Sequence, residues 1–174
     1  MNIFVLDESP TIAARMHCDK HIPKMCVEAA QMMASALRRH GATDDMMPLT
    51  KKGTPYKGGY HNHPSTKWVG DSRANYIWML NHAFTMSMEY SFRFGKRHFC
   101  HTALEKMNSD ACVLLIPAGN ITKFARAFNK ELYPQLYDEE KFSAVEAYRE
   151  YYHLDKRRFA KWEKGTPAPY WWVK

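Results

Sequence analysis

A row of polar and charged side chains follows one face of the first long predicted helix. In the stretch HCDKHIPKMCVEAAQMM, residues 17–33, these side chains recur at steps of three and four residues: His17, His21, Lys24, Glu28 and Gln31. Residues at that spacing share one face of a helix. A histidine, a lysine and a glutamate within reach of one another shift each other's pKa, so this face could hold an acid, a base and a phosphate contact. A solvated face with a Lys24–Glu28 pair is the alternative interpretation.

A second polar cluster, Tyr60-His61-Asn62-His63-Pro64, lies just before the next predicted helix. Two histidines at this spacing can orient a base, cap a helix or bind a metal. A zinc site would draw its further ligands from His98, Cys100 and His101. No pair among these residues has the spacing of a known zinc motif, so we assign no metal and no cofactor. We expect some of the histidines to line a polar pocket and others to hold the loop in place.

The C-terminal region combines cations with aromatic rings. The cations are Lys156, Arg157, Arg158, Lys161 and Lys164, and the rings that follow them are Tyr170, Trp171 and Trp172. Cations bind phosphates without regard to sequence, and aromatic rings stack on bases or fill the gap left by a displaced base. A tail packed on the core is the alternative.

The periodicity predicts a single all-α domain over residues 1–174 with long loops. The apolar face of the second helix would hold Ile22, Met25, Cys26, Ala29, Ala30 and Met33. The expected helices cover about 10–17, 19–40, 66–94 with a break near 70–71, 98–107, 121–130 and 142–164. Ser9 and Asp19 are the expected N-caps. Residues 3–6 form either a strand or an extended arm, residues 41–64 form a long loop, and the tail from Gly165 is not helical.

Composition narrows the class of protein. The chain has 174 residues with 45% hydrophobic residues and a net charge of +7, which is typical of one globular domain with a polyanionic partner.

Four cysteines without a CxxC pair indicate free thiols. No segment is apolar enough to span a membrane and no signal peptide is visible, so we expect a cytoplasmic monomer. The absence of GxSxG, P-loop and GxGxxG motifs argues against common hydrolases, nucleotide kinases and Rossmann enzymes.

Several stretches together resemble a set of small phage-borne proteins. They are MNIFVLDESP, HCDKHIPKM followed by EAAQMM, YHNHPSTKW, ANYIWML, EYSFRFGK and AYREYYHLDKRRFAKW. That set is distantly similar to the pyrimidine-dimer DNA glycosylases, which are small all-helical repair enzymes. The resemblance to the phage set spans nearly the whole chain. It implies a helical enzyme that acts on double-stranded DNA in the cytoplasm of a host cell.

The resemblance also implies roles for particular residues. The stretch Lys20-His21-Ile22-Pro23-Lys24 is similar to an Arg-Glu-Leu-Pro-Arg stretch of the glycosylases. This similarity implies that Lys20 and Lys24 contact phosphates, and it places His21 at the position of the family's catalytic glutamate. The family's nucleophile is the α-amine of a threonine exposed by removal of Met1, whereas residue 2 here is Asn. The family's DNA-binding aromatic residues and its histidine turn correspond to Tyr170, Trp171, Trp172, His63 and, following it, Trp68.

These observations combine into one functional hypothesis. We predict a glycosylase that releases a damaged or modified base by water attack at the sugar, with Glu28 or Asp19 in place of the missing glutamate and His21 as acid or base. The predicted DNA contacts are Lys20, Lys24, His61, His63, Trp68, Arg157, Arg158, Lys161, Tyr170, Trp171 and Trp172. The alternatives are a transferase that modifies DNA bases on the same scaffold, and a non-catalytic phage protein that binds DNA or a nucleotide.

Overall fold

The computed structural model describes residues 1–173, and this part of the chain is helical. The α-helices are α1 (Pro10–Arg15), α2 (His21–Arg39), α3 (Pro64–Asp71), α4 (Arg73–Phe94), α5 (His101–Met107), α6 (Asp110–Val113) and α7 (Ala144–Tyr151). Short 3-10 turns cover Asp44–Met46 and Pro134–Tyr137, and a π-helical turn, Tyr152–Lys156, continues α7. The described residues contain no strand, and Leu49 and Pro55 form an isolated bridge. The all-α prediction is confirmed.

The core forms where α2 packs against α3 and α4, with α1 lying across α4. The whole predicted apolar face of α2 is buried: Ile22, Met25, Cys26, Ala29, Ala30 and Met33. Residues 3–6 are also buried and make no strand pairing, so they form an extended arm inserted into the core. None of the helices in residues 1–173 combines the length and apolar character needed to cross a bilayer.

Local signals set several helix ends where the sequence places them. The Ser9 hydroxyl accepts a hydrogen bond from the N–H of Ile12 and caps α1. The predicted break in the central helix falls at Ser72, whose extended backbone separates α3 from α4 and whose hydroxyl caps α4. Gly95 adopts a left-handed conformation with φ 68° and ends α4.

The predicted helix over 121–130 is wrong. This segment is irregular, because distant side chains take the backbone groups that a helix would pair internally. Asn75 accepts a hydrogen bond from the N–H of Thr122, Tyr148 donates to the carbonyl of Ala125, and Asn2 donates to the carbonyl of Ala127. Tertiary hydrogen bonds therefore override the local helical preference.

The predicted helix over 142–164 is too long, and the predicted cap at Asp19 is wrong. Helical structure ends at Lys156, and the chain beyond it packs against the loop before α2. There the carbonyl of Lys161 accepts a hydrogen bond from the N–H of Asp19, and the Asp19 carboxylate accepts one from the N–H of Glu163. The residue before α2 is Lys20, which makes no side-chain cap bond.

Candidate active site at the first residues of the chain

The carboxylate of Glu28 lies beside the first two residues of the chain. The α-amino nitrogen of Met1 is 3.7 Å from Oε2 of Glu28, and the backbone N–H of Asn2 donates to the same oxygen at 2.9 Å. The other carboxylate oxygen is 3.5 Å from Nζ of Lys24, one turn earlier on α2. Only 13% of the Glu28 side chain is exposed. A largely buried carboxylate next to an amino group can accept its proton and offset positive charge that develops nearby.

The position of Asn2 is fixed by its own side chain. Its carboxamide oxygen accepts hydrogen bonds from the N–H groups of Ile3 and Phe4, and its carboxamide nitrogen donates to the carbonyl of Ala127. The arm that follows is buried in the core. The start of the chain is therefore held in place from both sides, and its amino group is positioned toward Glu28.

His63 completes this group. It is the N-cap of α3, and its Nδ1 accepts a hydrogen bond from the N–H of Ser65, so in the neutral ring the proton lies on Nε2. Burial lowers the pKa of His63, the positive α-amino group of Met1 lowers it further, and Glu28 raises it. His63 is therefore a neutral ring that offers its Nε2–H as a hydrogen-bond donor, and its pKa responds to the charges of the amine and the carboxylate. Met1, Glu28, Lys24 and His63 are called the N-terminal site below.

His21 does not lie on a wet face. Its ring is buried, Nδ1 lies 2.5 Å from the Tyr152 hydroxyl, and the Phe4 ring packs on it with a centroid distance of 4.6 Å. Burial, followed by the charges of Lys156, Lys24 and Lys20, lowers the pKa of His21 to about 3. An acid or base must reach the proton that it transfers, and this ring is 5% exposed and covered by Tyr152 and Phe4. We therefore assign His21 a packing role in place of the predicted role as acid or base.

Two further histidines lie with His21 in the interior. His17 is 5.2 Å from His82 and 6.2 Å from His21 between ring centroids. Burial lowers the pKa of His17 well below its ordinary value and that of His82 to about 4. These three residues are called the buried histidine cluster. The predicted polar stripe therefore divides: its first two members join the core, and Lys24 and Glu28 face the N-terminal site.

Asp19 holds the fold together and is not placed at the N-terminal site. Its carboxylate accepts from the guanidinium of Arg93 at 3.1 Å and from the N–H of Glu163 at 2.7 Å. The same guanidinium donates to the carbonyls of His17 and Arg15. Asp19 therefore joins α4 to the loop before α2 and to the C-terminal segment, and we replace its predicted catalytic role with this structural one.

The predicted cations do come together. The hydrogen bond from Asp19 to Lys161 brings the C-terminal segment next to the start of α2, and Nζ of Lys20 lies 4.7 Å from the ring centroid of Phe159. The residues with exposed cationic ends in this region are Lys20, Lys24, Arg157, Arg158 and Lys161. They form a positive surface beside the N-terminal site, which suits a phosphate backbone.

The aromatic tail is partly packed and partly exposed. Trp172 stacks on His153 at 4.9 Å, and Trp171 donates from its indole nitrogen to the sulfur of Met16. Tyr170 is exposed and accepts a hydrogen bond from Arg149. A cavity of about 460 Å³ opens between Trp172 and the 157–163 segment. Trp171 and Trp172 therefore pack on the core, as the alternative interpretation of the tail has it, whereas the ring of Tyr170 is exposed.

Two predicted DNA contacts remain, His61 and Trp68, and the first is exposed whereas the second is buried. His61 is exposed on the loop before α3. Trp68 is buried against Trp78 and Phe124, at centroid distances of 5.7 and 5.1 Å. Its ring supports α3 from inside, and we assign it that role in place of the predicted DNA contact.

Sequence reasoning missed two features that the fold places near His21, the π-helical turn that ends at Lys156 and the strained backbone of Phe4. Lys156 ends the π-helical turn and is largely buried, with Nζ 2.6 Å from the carboxylate of Asp155 and 5.5 Å from the ring centroid of Phe4. Single π-helical turns occur often at functional sites. Phe4 itself has φ 55°, a strained value for a residue other than glycine. No local sequence signal marks either feature.

Within residues 1–173, no three His, Cys, Asp or Glu side chains are arranged to hold a metal ion. No protein-family model, curated protein or solved structure matches this chain.

Proposed function

We propose that this chain is a DNA glycosylase-like enzyme that releases a damaged or modified base from double-stranded DNA, with Glu28 as its catalytic carboxylate. The observation that carries the proposal is the contact between Glu28 and the amino nitrogen of the first residue. The glycosylases that the sequence resembles use an α-amine nucleophile, and their catalytic glutamate aligns with a residue that is buried here. Glu28 supplies that carboxylate from two turns further along the same helix.

The contact between the Met1 amine and the Glu28 carboxylate suggests how the base would be released. The unprotonated α-amino group of Met1 attacks the sugar C1′ while the bond from C1′ to the base breaks and its electron pair leaves with the base. Glu28 takes the proton that the amine loses and gives it to the departing base. The C1′–O4′ bond of this amine adduct then breaks, O4′ takes a proton from solvent, and the C1′–N iminium that forms is hydrolysed by water, which restores the amine. Removal of Met1 would keep the arrangement, because the Asn2 nitrogen lies 2.9 Å from Glu28.

The neighbouring residues have supporting roles in this proposal. The Nε2–H of His63 donates a hydrogen bond to the DNA without losing its proton. Lys20, Lys24 and the cations of 157–161 bind phosphates. In the alternative route, which the sequence predicts, Glu28 activates a water molecule instead of an amine. The two routes differ in one product, because only amine attack gives an imine that borohydride reduces to a stable adduct.

The test is base release from duplexes that contain thymine dimers, uracil, hydroxymethylated cytosine or glucosylated phage DNA, with abasic sites revealed by alkali. Glu28→Gln should lower release by roughly a hundred-fold or more, since it removes a general acid–base group but keeps a side-chain oxygen that can accept from the N–H of Asn2. Glu139→Gln is the matched control, because Glu139 is exposed and pairs with the exposed Lys123. Full activity of Glu28→Gln would refute the proposal. Tight binding without release from any duplex would favour a transferase or a binding protein.

A further inference from the structure

The loop before α3 presents an exposed tyrosine. Tyr60 is 67% exposed and has φ 54°, in the left-handed region that side chains rarely adopt. Strained backbone of this kind persists only where the surrounding structure enforces it, and it is concentrated at functional sites. An exposed aromatic ring does not stabilise the fold by packing in the core, so packing does not explain why the strained backbone at Tyr60 is kept.

The loop is fixed to α2 through a single serine. The Ser35 hydroxyl accepts a hydrogen bond from the N–H of Gly59 and lies 2.8 Å from its carbonyl oxygen. Gly58 packs so closely that a Cβ atom there would lie 2.3 Å from the same hydroxyl. On the other side, the carbonyl of Tyr60 accepts from the N–H of His63, which begins α3. Tyr60 is thus anchored from both directions, while its ring points away from the core.

The anchor also fixes where Tyr60 lies relative to Glu28. Ser35 follows Glu28 by two turns on the same face of α2, which is roughly 10 Å along the helix axis. His63, the N-cap of α3, follows Tyr60 by three residues and donates its backbone N–H to the Tyr60 carbonyl at 2.9 Å. The loop that carries Tyr60 is therefore joined to α2 two turns beyond Glu28, and Lys57 and His61 are further exposed residues of this loop.

We propose that Tyr60 stacks on a nucleobase of bound DNA beside the reacting nucleotide and holds the distorted duplex open. This inference rests on the proposed function. Moving a nucleotide out of a duplex costs stacking energy, and an aromatic ring that takes over the stacking recovers part of it. A preformed loop suits this role because the ring loses little conformational freedom on binding.

The test uses a duplex that contains one tetrahydrofuran abasic analogue next to a fluorescent adenine analogue, with affinity measured by anisotropy. Tyr60→Gly relieves the backbone strain and removes the ring. It should keep or raise the thermal midpoint, weaken binding by roughly five-fold to a hundred-fold, and leave the adenine analogue more quenched than with the parent protein. Tyr60→Phe and Tyr60→Trp should bind like the parent. Phe92→Ala is the matched control, because Phe92 is also 67% exposed but lies at the far end of α4.

The outcomes separate this inference from the proposal on which it rests. Unchanged affinity and fluorescence in Tyr60→Gly, with duplex binding retained, would overturn the role of Tyr60 and leave the role of Glu28 intact. Equal losses in Tyr60→Phe and Tyr60→Gly would show that the hydroxyl acts instead of the ring, which also overturns it. Failure of the parent protein to bind any duplex would overturn both.

Discussion

Replacing Asp19 by alanine should unfold the protein more readily without changing its chemistry. The substitution removes two hydrogen bonds of the carboxylate, one from Arg93 at 3.1 Å and one from the N–H of Glu163 at 2.7 Å. The Arg93 side chain is 0% exposed, so it would keep a buried charge with one carboxylate partner fewer. Breaking a buried ion pair from one side costs about 3–5 kcal/mol.

Urea denaturation gives the measurement. With a denaturant dependence of about 2 kcal/mol per molar urea, that loss moves the unfolding midpoint down by about 2 M. The control is Asp71→Ala, which removes a pair with Arg39 whose side chains are 44% and 45% exposed. Exposed pairs contribute about 1 kcal/mol at most, so this midpoint should hardly move. Equal midpoint shifts in the two variants, or full stability with lost activity in Asp19→Ala, would refute the structural assignment of Asp19.

Three further predictions concern other parts of the fold. The buried histidine cluster should make the protein sensitive to acid. The pKa values of these histidines are lowered in the folded protein, so below about pH 6.5 the unfolded chain binds protons that the folded chain does not. The free energy of unfolding should therefore fall as pH drops from about 6.5 toward 4, by up to about 1.4 kcal/mol per pH unit for each histidine. Urea midpoints that stay constant over this range would contradict this. Lys20→Ala and Lys161→Ala should each reduce the slope of log affinity against log salt by about 1 in duplex binding, and an unchanged slope would remove that residue from the phosphate contacts. Gly58→Ala should lower the free energy of unfolding by about 1–3 kcal/mol, because the new Cβ atom would collide with Ser35. Gly53 has a φ similar to that of Gly58 but open space around it, so Gly53→Ala should lower the thermal midpoint less.

The sequence predicted those parts of the fold that local signals control. The Ser9 cap, the break expected near residues 70–71 and the end at Gly95 each depend on residues a few positions apart. The structure has the cap and the end as predicted and has the break at Ser72. The segment 121–130 has a helical pattern, but its conformation is set by Asn75, Tyr148 and other residues far along the chain. Such partners are not visible to a periodicity argument.

In the candidate site, too, local spacing was predictable from the sequence and contacts with distant residues were not. The spacing of Lys24 and Glu28 correctly predicted that they share a face and form a pair. It could not show that His21, at the same spacing, would be covered by Phe4 and by Tyr152, which lies 131 residues away. Nor could it show that the chain start folds back onto Glu28, because a contact between residues 1 and 28 depends on the path of the buried arm.

The most direct test of the central claim is to trap the reaction with borohydride on a duplex that the protein cleaves, and to map the adduct by mass spectrometry. The account predicts a sugar-derived mass on the α-amino group of the N-terminal peptide, whether that peptide begins at Met1 or Asn2, and no adduct with Glu28→Gln. An adduct on a lysine side chain, or base release without any trapped adduct, would contradict an amine held by Glu28 as the nucleophile.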